Sequence, residues 1–211
     1  MTPPSSAVLF DVDGTLVDAV ANQRRIWAAW SERFGLDGDE VYALALRTRP
    51  VDTVAELLPQ AERAGALAHF DDLEDDDVRD GLYTAFHGAE RMLRALDAGR
   101  CALVTANLRQ RVEGRFRRLG LPVPAVIVDA ETTARGKPHP DPYLAAAAAL
   151  GVDPARCLVV EDSPSGVAAG LAAGMTVWSV NGAAPVAGAH RHFPTLEDAA
   201  PDVIAFAASL G

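Results

Sequence analysis

The sequence is short of cysteine, of aromatic residues and of positive charge, and each shortage closes off a class of protein. Two cysteines, Cys101 and Cys157, stand in 211 residues. Each opens a strand-like apolar run (CALV and CLVV), and parallel strands bury small thiols readily, so free core cysteines are expected rather than a disulfide. Aromatic residues make up 6% of the chain against 49% hydrophobic, which suits a core of alanine and aliphatics in which helices pack closely on a sheet. The formal net charge of −10 argues against nucleic-acid or anionic-membrane binding, since both require basic surface. No apolar stretch approaches membrane-spanning length. MTPPSS at the start has neither a basic n-region nor an apolar core, so it is not read as a signal peptide and a cytoplasmic location is expected. An acidic protein of this kind can still bind a phosphorylated molecule if cations gather at the site.

What the chain does have is a segment near its start, AVLF-DVDGTLVD. Four apolar residues, Ala7 to Phe10, read as a buried strand that delivers two carboxylates, Asp11 and Asp13, to its end. Gly14 and Thr15 then force a turn. On an extended chain, carboxylates at i and i+2 point the same way and repel, which costs free energy unless a divalent cation or a reaction uses both. The pattern points to metal-assisted phosphate chemistry. Further apolar runs each end on a polar residue: ALV before Thr105, AVIV before Asp129, LVV before Glu161 and Asp162, VWSV before Asn181. Helical patterns over 107–119, 140–150 and 164–173 lie between them. Strand, helix, strand at this spacing predicts an α/β fold with a doubly wound parallel sheet. Such sheets bind ligands beyond the carboxyl ends of their strands, and Asp11, Thr105 and Asp162 fall at that edge. Residues 19 to 85 break the rhythm with amphipathic helical patterns such as ANQRRIWAAWSERFG, and read as a small helical unit inserted after the first strand. The acidic run DDLEDDD at 71–77 lacks the spacing and glycine of a calcium loop and reads as a solvated loop or helix face.

DVDGTLVD resembles the first motif, DxDGTL, of the phosphatase branch of the haloacid dehalogenase (HAD) superfamily. The other motifs of that family find matches in order: Thr105 after a strand, Lys137 in RGKPHPDPY, and Glu161-Asp162 in EDSPSG. The resemblance covers essentially the whole chain. It implies a Rossmann-like core from residues 1–17 and 86–211 and a helical cap from 18–85, with hinges near Leu16–Asp18 and Gly81–Gly88. It further implies that Asp11 attacks phosphorus to form an aspartyl-phosphate, while Asp13 protonates the leaving oxygen and later deprotonates water. Thr105 would hydrogen-bond a phosphoryl oxygen and Lys137 would offset the accumulating charge. Mg²⁺ is the implied cofactor, held by Asp11, Asp162, the main-chain carbonyl of Asp13, and Glu161 directly or through water. Singly, Thr105 reads as a helix cap, Lys137 as a solvated lysine before proline, and EDSPSG as an N-cap; their joint order carries the chemistry.

Within the family, Asp13 excludes dehalogenase chemistry. Gln23 stands where a β-phosphoglucomutase usually carries His, and Thr15 is a residue the mutases tend to lack, so hydrolysis is favoured over that alternative. GKPHPDPYLAAAAALG and RTRPVDTVAELL resemble stretches of the sugar and polyol phosphatases. The expected partner is therefore a small phosphorylated metabolite, a sugar or polyol phosphate, with a phosphoglycolate-type phosphatase as a further alternative. Arg49 matches the arginine that approaches substrate there, its plainer role being a surface ion pair. Ala106 and Asn107 join Thr105 and Lys137 in the expected substrate-binding set, although the family's usual second motif is Thr-Ser-Ser or Thr-Ser-Gly. Arg47-Thr48 replaces the usual His-Gly of the cap motif, and Phe86-His87-Gly88 replaces Leu-Pro-Gly, leaving His87 near a hinge. Trp27 and Trp30 are expected in the cap core, and His190 and His192 at the surface. A receiver domain shares the acidic pair, Thr and Lys but has no large insertion after the first strand and no DxDGT. A HAD-fold binding module would have lost the aspartates or the lysine. The expectation is a monomeric, cytoplasmic enzyme.

Overall fold

A computed structural model describes residues 6–96 and 99–208; apart from Ser6, the MTPPSS segment on which the leader reading rests lies outside them. The elements follow in the order β1 (Ala7–Phe10), β2 (Val17–Asp18), α1 (Val20–Phe34), α2 (Gly38–Ala45), α3 (Pro50–Leu57), α4 (Gln60–Asp80), β3 (Thr84–Ala85), α5 (Ala89–Ala95), β4 (Cys101–Val104), α6 (Arg109–Leu119), β5 (Val126–Val128), α7 (Asp141–Leu150), β6 (Cys157–Glu161), α8 (Pro164–Ala172), β7 (Thr176–Ser179), β8 (Arg191–His192) and α9 (Leu196–Ala208).

Strands that are apolar on both faces must be covered on both faces, and the sheet obeys this. Its order is β5-β4-β1-β6-β7-β8, parallel throughout. With a side-chain period of two, Val8 and Phe10 of β1 join the layer of α5, α6 and α9, while Ala7 and Leu9 join that of α7 and α8. This is the doubly wound arrangement read from the spacing. The two cysteines are free and buried. Cys101 belongs to the first layer and Cys157 to the second, and burial pushes both thiols up to about 11. Among the described residues, no helix is long and apolar enough to cross a membrane.

The helices α1 to α4 enclose a cluster of their own, with Ile26, Trp27, Trp30, Val54 and Phe70 at its centre. Trp27 and Trp30 meet edge-on with ring centroids 5.4 Å apart, and the Trp30 indole donates to the Ala66 carbonyl at 2.9 Å. The chain leaves and re-enters the sheet through β2 and β3, which pair antiparallel with Val17 opposite Ala85.

The acidic run at 71–77 keeps Asp71, Asp72, Asp75 and Asp76 on an exposed helix face, as expected, but turns two members inward. It lies in α4, and Glu74 and Asp77, three residues apart and so on one helix face, are buried. Cations from other elements make this tolerable: Arg115 and Arg111 flank Glu74, and Arg25 pairs with Asp77. On β8, His192 is half-buried with its Nδ1 3.0 Å from Ser179 Oγ, and His190, which is exposed, accepts from the Val177 amide at 3.0 Å.

Candidate active site

β1 is the point where the strand order reverses, and open α/β sheets form their ligand crevice at such a point. Asp11 follows β1, Thr105 follows β4, and Glu161 and Asp162 end and follow β6. The Asp11 amide donates to Val160 O at 3.1 Å and the Thr105 amide to Val128 O at 2.9 Å, so the sheet ladder itself sets both residues. Lys137 arrives from the loop before α7, preceding a cis peptide bond to Pro138. It is the only lysine among the 19 Lys and Arg of the chain.

The three protons of the Lys137 ammonium find three acceptors: Asp11 Oδ1 at 2.6 Å, Glu161 Oε1 at 2.7 Å and Val104 O at 3.0 Å. Burial works against its charge, but the carboxylates of Asp11 and Glu161 outweigh burial and raise its pKa well above the ordinary range. Glu161 is fully buried and fully engaged. Its Oε1 also accepts from Tyr143 Oη at 2.9 Å, and its Oε2 from the amides of Asp162 and Ser163 and from Ser163 Oγ at 2.9–3.0 Å. Burial alone would raise its carboxyl, yet Lys137 and these bonds hold it below the usual range. Gly166 makes this seat possible, because a Cβ there would lie 1.6 Å from Glu161 Oε1.

The Gly-Thr after Asp13 serves a second carboxylate. Gly14, at φ +97°, leaves room for Asp162, whose Oδ2 would lie 2.2 Å from a Cβ at that position, and Thr15 Oγ1 donates to Asp162 Oδ1 at 3.2 Å. Asn181 holds this turn from the far side, donating to the carbonyls of Gly14 and Thr15 at 2.9 Å. Its own Oδ1 accepts from the Leu196 amide at 2.8 Å. The sequence marked Asn181 only as the polar end of a strand.

One carboxylate oxygen from each of Asp11, Glu161 and Asp162 lies within 4.8 Å of the others. These residues fit a divalent cation. Asp11 Oδ2 is buried without a hydrogen-bond partner, and three carboxylates face one ammonium. Burial pushes the Asp11 carboxyl upward against the pull of Lys137. Burial and then Glu161 push Asp162 up to about 7. Because both Glu161 oxygens are already engaged, Asp11 and Asp162 are the ones with oxygen lone pairs to offer. The Asp13 side chain stands apart from this group. It turns to Arg115, whose Nη1 donates to Asp13 Oδ1 at 2.8 Å. Arg115 lies on α6, is completely buried, and was not singled out by the sequence.

These residues border a cavity of about 130 Å³, which holds several waters and so has room for a phosphoryl group. Asp11, Asp13, Thr105, Ala106, Lys137 and Asp162 line its floor, and Gln23, Tyr42, Arg47, Thr48 and Arg49 its roof. Thr105 is buried, and its Oγ1 accepts from the Asn107 amide at 3.0 Å. Asn107 turns away from the cavity: its Nδ2 donates to Glu74 Oε2 at 3.0 Å and its Oδ1 accepts from the Leu108 amide. Arg49 borders the cavity, pairs with Asp52 at 2.8 Å and donates to the Thr133 carbonyl at 3.2 Å. His87 is exposed and borders a different depression, beside Asn181 and Pro194.

A family model described as haloacid dehalogenase-like hydrolase matches residues 6–174. The chain is 40% identical over 177 residues to hexitol phosphatase A of Escherichia coli (strain K12), covering 82% of each protein. It is 32% identical over 189 residues to glycerol-1-phosphate phosphohydrolase 2 of Saccharomyces cerevisiae, covering 82% of this chain and 73% of that one. The crystal structure of a CbbY variant from Rhodobacter sphaeroides in complex with xylulose-(1,5)bisphosphate superposes with a TM-score of 0.81 at 25% identity, covering 92% of this chain and 96% of that one.

Proposed function

Starting from the membership of this chain in the haloacid dehalogenase-like hydrolases, as a phosphatase, we propose that it hydrolyses a small sugar or polyol phosphate through a phosphoryl group carried on Asp11. The observation that carries this reading is the Lys137 ammonium seated between Asp11 and Glu161, with Asp11 Oδ2 left unpaired at the cavity.

In the first step Asp11 Oδ2 attacks phosphorus in line, and the bond from phosphorus to the sugar oxygen breaks. Asp13 gives its proton to the departing oxygen, so the alcohol leaves neutral. In the second step water attacks the aspartyl-phosphate and passes a proton to Asp13. The bond from phosphorus to Asp11 breaks, releasing orthophosphate and restoring both carboxyl groups. Lys137 and the Thr105 hydroxyl stabilise charge on the transferring oxygens, and Lys137 favours the ionised form of Asp11 against the opposing effect of burial. Mg²⁺ would be held by Asp11, Asp162 and the Asp13 carbonyl, with Glu161 behind, and would offset the charge of the phosphoryl group.

Residues 18–85 serve as the cap over a core of 1–17 and 86–211. Their own hydrophobic cluster supports this division, as does the paired β2–β3 crossing. Gln23 at the roof suits hydrolysis rather than the mutase alternative. A hydroxylated substrate is supported by the roof itself, because Tyr42 borders the cavity with its hydroxyl buried and unpartnered. That is an arrangement a protein retains at a cost of about 1–3 kcal/mol unless a ligand satisfies it. We read the enzyme as a cytoplasmic monomer.

The test is orthophosphate release from a panel of hexitol, hexose, glycerol and glycolate phosphates, with Mg²⁺ and with chelator, beside Asp11→Asn and Tyr42→Phe. Metal-dependent release on polyol or sugar phosphates, absent in Asp11→Asn and with KM raised about 5-fold in Tyr42→Phe, is the expected result. Release from phosphoglycolate alone would move the substrate class. No release from any member by the folded protein would overturn the reading.

A further inference from the structure

The buried side of Asp13 carries an arrangement that the proposed reaction does not use. Arg115, completely buried on α6, spans two carboxylates: Nη1 reaches Asp13 Oδ1 at 2.8 Å and Nη2 reaches Glu74 Oε2 at 2.7 Å. The Tyr83 ring covers its guanidinium, with the centroid 4.9 Å from Cζ. Glu74 belongs to α4, the last helix of the insertion, and Tyr83 immediately precedes β3, on which the chain returns to the core. Asn107 of the core adds a second donor to Glu74 Oε2 at 3.0 Å. One helical turn along α4, Asp77 accepts from Tyr83, from Arg25 and from Asn22 of α1. Asp13 is thus joined, through the single side chain of Arg115, to Glu74 of α4, and the next turn of α4 is tied in turn to α1 through Asp77.

Two nitrogens of this completely buried guanidinium are met by carboxylates while its Nε has no hydrogen-bond partner, so losing either carboxylate would strand a buried charge. It is also planar and forked, so two acceptors fix its orientation more strictly than an ammonium could. We propose that Arg115 is a positioning residue for Asp13: backed by Glu74, it holds Asp13 Oδ1 so that the other carboxyl oxygen meets the leaving group, and it does so in register with the cap. Movement of α4 relative to α6 must break the Glu74 contact or carry Arg115 with it. The reach of Asp13 therefore depends on where the cap lies. This inference rests on the acid role assigned to Asp13 above.

Leaving-group dependence tests it. An alkyl phosphate such as glycerol phosphate needs a proton on its departing oxygen, whereas 4-nitrophenyl phosphate does not, and kcat/KM reports the step in which that oxygen leaves. Arg115→Met is expected to lower kcat/KM about 30-fold on the alkyl ester and less than about 3-fold on the nitrophenyl ester. Arg115→Lys should restore part of the loss, and Glu74→Gln should show the same pattern at about 5-fold. In an Asp13→Asn background, Arg115→Met should add nothing further on the alkyl ester. Equal losses on both esters, or additive losses in the double variant, overturn the proposal. If Arg115→Met fails to fold by circular dichroism, Glu74→Gln decides, and a uniform effect there is equally fatal. Should Asp13→Asn itself lose both esters alike, the acid role of Asp13 fails, and that outcome is separable from any result at Arg115.

Discussion

Asp11 and Asp13 sit two residues apart, yet one faces a lysine and the other an arginine, and the two cations are held in opposite ways. Lys137 is a point charge in a three-acceptor seat built wholly from the sheet edge: Asp11, Glu161 and Val104 O. Arg115 is a planar fork bridging the core to α4. In a chain whose other Lys and Arg positions are all arginine, a lysine at one place marks where a compact, rotatable ammonium is needed and a fork would not fit. The difference teaches that one short motif can address two kinds of structure, a rigid one at its first carboxylate and a jointed one at its second.

Removing the first carboxylate should have the largest effect. Asp11→Asn is expected to lower orthophosphate release by at least about 10⁴-fold, without lowering the thermal midpoint, since the amide relieves an excess of buried acid. Retained turnover would show that the rigid side is not where phosphorus is attacked. Exchanging cation types comes next. Lys137→Arg should cost about 10²-fold or more in kcat despite keeping the charge, and full activity in that variant would erase the distinction between the two seats.

Proton competition sharpens the contrast at a lower magnitude. Asp162, pushed up to about 7, keeps a proton in the metal-free protein that the unfolded chain would release near 4. Between those values the native state binds more protons, so metal-free stability should fall as pH rises toward 7, and added Mg²⁺ should remove that slope. Calorimetric Mg²⁺ affinity should weaken by roughly tenfold per pH unit below 7; a flat profile would mean that Asp162 does not compete. The smallest expected effect is on the jointed side. Arg115→Lys keeps the buried charge but spans only one acceptor, and should cost about 1–2 kcal/mol in urea unfolding, against about 3–5 kcal/mol for Arg115→Met.

Much of this was legible in the sequence because parallel strands buried on both faces leave apolar runs, and their polar ends collect at one edge. Asp11, Thr105, Glu161 and Asp162 stand at those ends, while Lys137 and the roles of all five came from the resemblance to the haloacid dehalogenase motifs. The jointed side was not. Arg115 lies 102 residues from Asp13 and 41 from Glu74, and within RQRVEGRFRRL nothing local separates it from its fellow arginines. The acidic run at 71–77 likewise shows charge without showing which members turn inward. The signal that existed was paired spacing: Glu74 and Asp77 three apart on one helix, Arg111 and Arg115 four apart on another, opposite in sign. Asn107 entered the expected substrate-binding set with Thr105 and Ala106 through the second motif, and its pairing with Glu74 was not legible there.

The two thiols give the core a pair of internal clocks. Cys101 lies in one layer beside β1 and Cys157 in the other, and each stays protonated and shielded while its layer is closed. An alkylating reagent can reach either sulfur only when the packing over it opens, so the labelling rate counts openings rather than thiol chemistry. Two rates that coincide would describe a sheet that loses both coverings in one event. Two that differ would say which of the helical layers lets go first.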